Sequence, residues 1–227
     1  MLARLLSGPV LVALLILSTT ACQGPEATRT AAGPGPNTAA PSDLEALYWA
    51  RQDSARADFT AADVRFMTMM ITHHAQALVL SALAPTPGAS DPVQTLAARI
   101  TNAQKDEIAT MERWLRDRDQ PVPTIDIDGT ALRVNGKNVH GMDMAGILTQ
   151  AQIDKLDAAR GPEFDRLFLT YMIEHHRGAV TMVDSLFGAE GAAQGEAAFR
   201  LASAINVDQN TEIDRMRRML STLPDER

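Results

Sequence analysis

"MMITHHAQALVL", Met69 to Leu80, and "YMIEHHRGAVTM", Tyr171 to Met182, are the stretches on which the fold of this chain turns. Superposed and extended by a turn, they pair Phe66 with Phe168, Met70 with Met172, Ile71 with Ile173, His73-His74 with His175-His176, and Ala77 with Ala179. A second pair of segments follows in the same order. "LAARITNAQKDEIATMERWL" (Leu96 to Leu115) matches "LASAINVDQNTEIDRMRRML" (Leu201 to Leu220). There Ile100, Gln104, Glu107, Ile108, Met111 and Leu115 fall on Ile205, Gln209, Glu212, Ile213, Met216 and Leu220. The two offsets differ by three residues, which a longer turn absorbs. Two blocks repeated in one order make the domain a doubled unit.

Each unit reads as two helices. Thr60 caps the first, with Asp63 in its first turn, and the run continues to about Ala84. "APTPGASDP" interrupts it, and Asp91 followed by Pro92 starts the second in the expected order of cap then proline. That helix ends near Arg118. In the other half, Gly161-Pro162 opens a helix to about Phe187, and "GAEGAAQG" separates it from a last helix that stops before Pro224. Aromatic and β-branched residues are sparse and no two-residue alternation persists, so no substantial sheet is expected. Between the halves, about Asp119 to Arg160, lie a hairpin-like "TIDIDGTALRVNG" and a short helix, "TQAQIDKLDAA", capped by Thr149. Two duplicated helical hairpins joined by a long crossover predict an all-α, ferritin-like four-helix bundle. An up-down-up-down bundle with an ornate loop is the competing topology.

All four paired histidines fall on apolar faces. Phe66, Met70, His73, Ala77 and Leu80 form one stripe and Met67, Ile71, His74 and Leu78 the next, with Thr68, Thr72 and Gln76 on a more polar side. The duplicate agrees, with Thr170, Glu174 and Arg177 on its polar side. Met70 precedes His73 by three residues and His74 by four, so one turn aims a thioether and two imidazoles at one volume. The second helices place Gln104, Glu107, Gln209 and Glu212 on their apolar stripes. A buried carboxylate needs a donor or a cation, and the histidines are the nearest candidates.

Two accounts stand at this point. The glutamates and imidazoles form a buried polar network that fixes helix register, or imidazole nitrogen and methionine sulfur bind a metal while glutamate orients a ring. For the second, Met70, His73, His74, Met172, His175 and His176 are the candidate ligands. Gln104, Glu107, Gln209 and Glu212 are supporting or additional groups, as are Met182 and the crossover residues His140, Met142 and Met144 of "HGMDM". Thioether with imidazole suits copper, especially Cu(I), better than zinc or iron. The di-iron pattern of Glu-x-x-His is missing, because Glu174 is adjacent to His175 and the other half has Thr72 there.

The N-terminus sets the compartment. "MLARLLSGPVLVALLILSTTACQG" has one positive charge, an apolar run too short for a comfortable span, and small residues ending at Cys22. It resembles a bacterial lipoprotein signal, with residues 1–21 as leader and Cys22 as the lipidated new N-terminus. Thr19 stands where such signals usually carry leucine. The stretch from Cys22 to Ser42, rich in Pro, Gly, Ala and Thr, reads as a flexible tether, and 43–227 as one domain. Cys22 is the only cysteine, so no internal disulfide is available and a core must hold the domain. Removing the leader takes Arg4 and no acid, moving the formal charge from −7 to −8. That balance argues against nucleic acid and against electrostatic binding to anionic lipid. The expected membrane contact is the lipid anchor alone, the expected partner a metal ion; no protein partner is indicated.

"GPEFDRLFLTYMIEHHRGAVTM", the repeated I-x-x-x-Q-x-x-E-I-x-x-M pattern, and "HGM" ahead of a short helix resemble the bacterial family known as domain of unknown function 305. The resemblance runs from about Asp43 to the end. It implies a ferritin-like, usually exported protein rich in His and Met, with copper binding associated with some members. By the same resemblance His175, His176 and Met172, with His73, His74 and Met70, carry the binding role. The first half departs from the motif: Arg177-Gly178 becomes Ala75-Gln76 and Met182 becomes Leu80, which implies a weaker first site if there are two. The expectation is an exported, membrane-anchored lipoprotein of the cell envelope that binds copper for sequestration or delivery rather than turnover. The alternatives are a structural or interaction module with buried His–Glu hydrogen bonds, and a redox enzyme using the same metal.

Overall fold

The computed structural model describes residues 42–85 and 88–224. The expected leader, the lipidated Cys22 and the tether before Ser42 lie outside the described residues. Helix α1 spans Asp43–Ala57, α2 Ala61–Ala82, α3 Asp91–Arg116, α4 Gln150–Ala158, α5 Gly161–Phe187 and α6 Glu196–Thr222. Local chemistry sets these limits. The Thr60 hydroxyl accepts the Asp63 N–H while the Asp63 carboxylate accepts the Thr60 N–H at 2.7 Å, a reciprocal cap that starts α2. Thr149 and Gln152 repeat the device at α4. At α3 the cap is Ser90, one residue before the expected Asp91.

Two elements differ from expectation. No helix is predicted over Asp43–Ala57, yet α1 forms there on a Ser42 cap. Its described side chains are all exposed, Leu44 and Trp49 included, so it carries no buried stripe for periodicity to detect. The crossover holds a small antiparallel sheet in the order β1-β2-β3, with β1 Ile125–Asp128, β2 Ala131–Val134 and β3 Lys137–Asn138. Only the first hairpin was expected. The second reverses at Asn135-Gly136, both at positive φ (51° and 75°), where a two-residue turn matches strand twist. Strands of two to four residues are too short to show alternation.

The topology follows from two buried aspartates. Asp63, at the start of α2, accepts the Ala193 N–H at 2.7 Å from the α5–α6 turn. Asp165, at the start of α5, accepts the Ser90 N–H at 3.0 Å from the α2–α3 turn. Each hairpin's first helix is thereby tied to the turn of the other. Close backbone approach occurs at the same places: a Cβ on Gly88 would stand 2.7 Å from the Gly161 nitrogen, and one on Gly195 2.8 Å from the Asp58 carbonyl. Only antiparallel α2 and α5 satisfy both ties. The chain must then traverse the length of the bundle between α3 and α5, which is the ferritin-like connection. In an up-down-up-down bundle these helices would run parallel.

The packing repeats the register. Ala77 and Leu80 share one apolar cluster with Phe164, Phe168 and Met172, while Phe66 and Met70 share another with Ala179 and Val183. Each of the larger side chains among these contributes roughly 1.5–3 kcal/mol of transfer free energy, the main source of stability where no disulfide is available. Leu132 and Val139 of the crossover pack on Ala75 and Val79, so α2 is covered on a further side. Thr72 and Gln76 are therefore buried rather than on a solvent-facing polar side, whereas Glu174 and Arg177 on α5 are exposed as expected. The Gln76 amide meets its burial with hydrogen bonds. Its oxygen accepts the Leu148 N–H at 2.8 Å, and its nitrogen donates to the Leu148 carbonyl at 3.0 Å and to His140 Nδ1 at 2.8 Å.

Candidate metal centre

Antiparallel α2 and α5 bring the two His-His pairs to one level at the middle of the bundle. The His73 and His175 rings lie against each other, centroids 3.8 Å apart and planes inclined by 36°. His74 stands 6.3 Å from His73, and His176 6.2 Å from His175. The four imidazoles thus form a row, His74–His73–His175–His176, with no solvent exposure on any of them.

The expected glutamates are in place. Glu107 on α3 accepts from His74 Nε2 and Glu212 on α6 from His176 Nε2, each at 2.7 Å. A carboxylate accepts only, so Nε2 carries a proton, and the neutral form of each ring has its lone pair on Nδ1. His73 Nε2 donates to the Ala145 carbonyl at 3.2 Å, which leaves its Nδ1 in the same condition. Neither nitrogen of His175 has a hydrogen-bond partner, and the Nδ1 atoms of the other three have none either. Burial first, and then the neighbouring imidazoles, hold His73 and His175 well below the ordinary histidine pKa, so both are neutral near pH 7.

The Ala145 contact depends on Gly178. A Cβ there would stand 2.1 Å from the Ala145 oxygen and 2.6 Å from Gly146 Cα. In the first half the matching position is Gln76, which instead clamps the crossover through Leu148 and His140. The departure Arg177-Gly178 against Ala75-Gln76 thus reflects two ways of seating one loop.

Met70 and Met172 are fully buried, one in each apolar cluster, and so lie toward opposite ends of the bundle from the imidazole row. Gln104 and Gln209 are buried too; neither amide atom of Gln104 has a partner, nor does the Gln209 oxygen. They line a cavity of about 200 Å³ between α3 and α6 with Glu107, Glu212 and Asp208. Partial desolvation, and then the Glu107 and Glu212 carboxylates, raise the pKa of Asp208. Sequence reasoning missed Asp208 because its duplicate is Ala103, so a search for repeated positions passes over it. In the crossover, His140 has both nitrogens engaged: Nδ1 accepts from Gln76, and Nε2 donates to the Thr130 carbonyl at 2.8 Å. Met142 is on the surface, and Met144 reaches a cavity shared with Met182.

Five imidazole nitrogens without partners are unusual, because each unsatisfied buried polar group costs about 1–3 kcal/mol. Unprotonated imidazole nitrogens with free lone pairs are donors for a borderline or soft metal ion. In the arrangement seen, no three His, Asp, Glu or Cys side chains converge on one point among the described residues. At the centre the His73 and His175 rings rest on each other.

The family model described as domain of unknown function (DUF305) matches residues 63–220, and the chain belongs to that family. No curated protein matches it. A DUF305 fragment from Deinococcus radiodurans is 30% identical with a TM-score of 0.60, covering 73% of this chain and 99% of the other. A DUF305 protein of Streptomyces coelicolor described as secreted is 27% identical, TM-score 0.58, covering 70% and 91%. CopM in its Cu(I)-bound form is 26% identical, TM-score 0.52, covering 70% and 95%. The fold is thus shared with a protein solved with copper bound.

Proposed function

We propose that this DUF305 protein is an exported, lipid-anchored protein that binds metal ions, copper above all, through the buried histidine row. Its role is sequestration or delivery. The carrying observation is the set of four partnerless Nδ1 atoms on fully buried imidazoles, two of which are held by glutamates through Nε2. That is the carboxylate–histidine pairing that orients a ring toward a metal. Desolvation keeps His73 and His175 unprotonated, as a ligand must be. Met70 and Met172, about one helical turn from the row along α2 and α5, are the candidate sulfur ligands. Binding asks the His73 and His175 rings to part. An extracytoplasmic setting is supported by the secreted Streptomyces relative, and no helix among the described residues is long and apolar enough to cross a membrane. The lipid anchor at Cys22 rests on the sequence alone.

A second account keeps the network without metal. The two 2.7 Å His–Glu bonds related by the duplication favour it, since they would fix helix register by themselves. Copper titration of the chain from Ser42 onward separates the two. The metal account expects tight binding that His175→Ala with His176→Ala abolishes. Binding unchanged in that variant removes it. Cuprous oxidation at catalytic rates would point to a redox enzyme instead.

A further inference from the structure

At the end where α2 begins and α5 finishes, a cavity of about 240 Å³ lies between these helices and the crossover. Three thioethers line it: Met69 from α2, Met144 from the crossover and Met182 from α5, all half-buried. Ala145 lines it as well, and its carbonyl holds His73 Nε2. One wall of the cavity is therefore shared with the imidazole row. Arg65 and Asp143 border it with opposite formal charges and Thr181 and Ser185 add hydroxyls, so the three thioethers are its soft donors.

Packing does not explain the three methionines. Methionine in a core serves as adaptable filler, and filler would close this gap. The duplication supplies an internal control. Met69 and Met182 correspond to Tyr171 and Leu80, and Met144 lies in the crossover and has no counterpart. At the other end of the bundle Leu80, Phe164 and Phe168 are fully packed. The same helix pair can thus be built at this level without thioethers.

We propose that Met69, Met144 and Met182 form an outer site for a soft monovalent cation of the Cu(I) or Ag(I) type, at the approach to the buried imidazoles. Three uncharged sulfurs select for softness, since thioethers favour Cu(I)-like ions over hard cations. Onward passage to the histidines rests on the function proposed above; binding at the cavity does not.

The test is titration of the full mature chain with Ag(I), read by NMR of 13C-labelled methionine methyl groups. The methyls of Met69, Met144 and Met182 are expected to shift at equimolar Ag(I), and Zn(II) to leave them in place. Met69→Leu, Met144→Leu and Met182→Leu together conserve apolar volume and should remove one Ag(I) per chain. If the triple variant folds poorly, Met182→Leu alone should weaken the response of the other two methyls. Unmoved methyls, an undiminished Ag(I) stoichiometry in the leucine variant, or equal shifts with Zn(II) would overturn the proposal. Failure of the imidazole account looks different. It appears as unchanged Ag(I) stoichiometry in the His175→Ala, His176→Ala variant with the methyl response intact.

Discussion

Replacing Gly178 with alanine tests whether the crossover is seated on α5 as described. The added Cβ would lie 2.1 Å from the Ala145 oxygen, more than an ångström inside ordinary contact, and that neighbour is backbone. The loop cannot simply slide. A Cβ on Gly146, at φ 76°, would itself stand 2.7 Å from the His175 carbonyl, so the two backbones already touch. Relief requires the loop to withdraw, which breaks the His73 Nε2–Ala145 bond. Overpacking of this kind costs typically about 1–3 kcal/mol. Leaving His73 without its acceptor adds about 1–3 kcal/mol. Alanine's better helix propensity returns about 1 kcal/mol. The expected net loss is about 1–5 kcal/mol, read from urea unfolding of the metal-free protein. The His73 ring Nε2–H resonance should lose its carbonyl partner and broaden. Unchanged stability would show that the crossover does not rest on Gly178. So would an unchanged His73 resonance in a destabilised variant.

Acid should destabilise the metal-free bundle. His73 and His175 have folded pKa values well below the unfolded value, so below about pH 6.5 the unfolded state binds more protons. Stability is complete above that pH and falls beneath it by roughly 1.4 kcal/mol per pH unit for each ring. The pair predicts a loss of about 3 kcal/mol between pH 7.5 and 5.5 in urea unfolding; a flat profile across that window would contradict neutral buried rings. Glu212→Gln keeps an acceptor for His176 Nε2–H but removes the charge that makes the ring a stronger ligand. Copper affinity should fall about 10- to 100-fold, with little change in metal-free stability. Competition against a copper chelator measures it, and equal affinity would detach Glu212 from the site.

The sequence alone carried the doubled unit, because an offset of 102 residues repeats Phe, Met, Ile and the His-His pair on one helical face. Periodicity and caps are local, so helix limits from Thr60, Thr149 and Gly161 were legible within a residue or two. The pairing of Glu107 and Glu212 with imidazoles was legible for a similar reason, since a carboxylate on an apolar stripe must find a donor. Other features were not local. Asp63 and Asp165 reveal the antiparallel arrangement only once each is seen accepting from the other hairpin's turn, 130 and 75 residues away. Whether Thr72 and Gln76 face water depended on where the crossover came to rest, which no spacing within α2 encodes. The 3.8 Å contact of His73 with His175, and the meeting of Met69, Met144 and Met182 at one cavity, arise from three segments docking. Helix-by-helix patterning is written in nearest neighbours along the chain. Which lone pairs and sulfurs end up facing each other is decided by long-range packing.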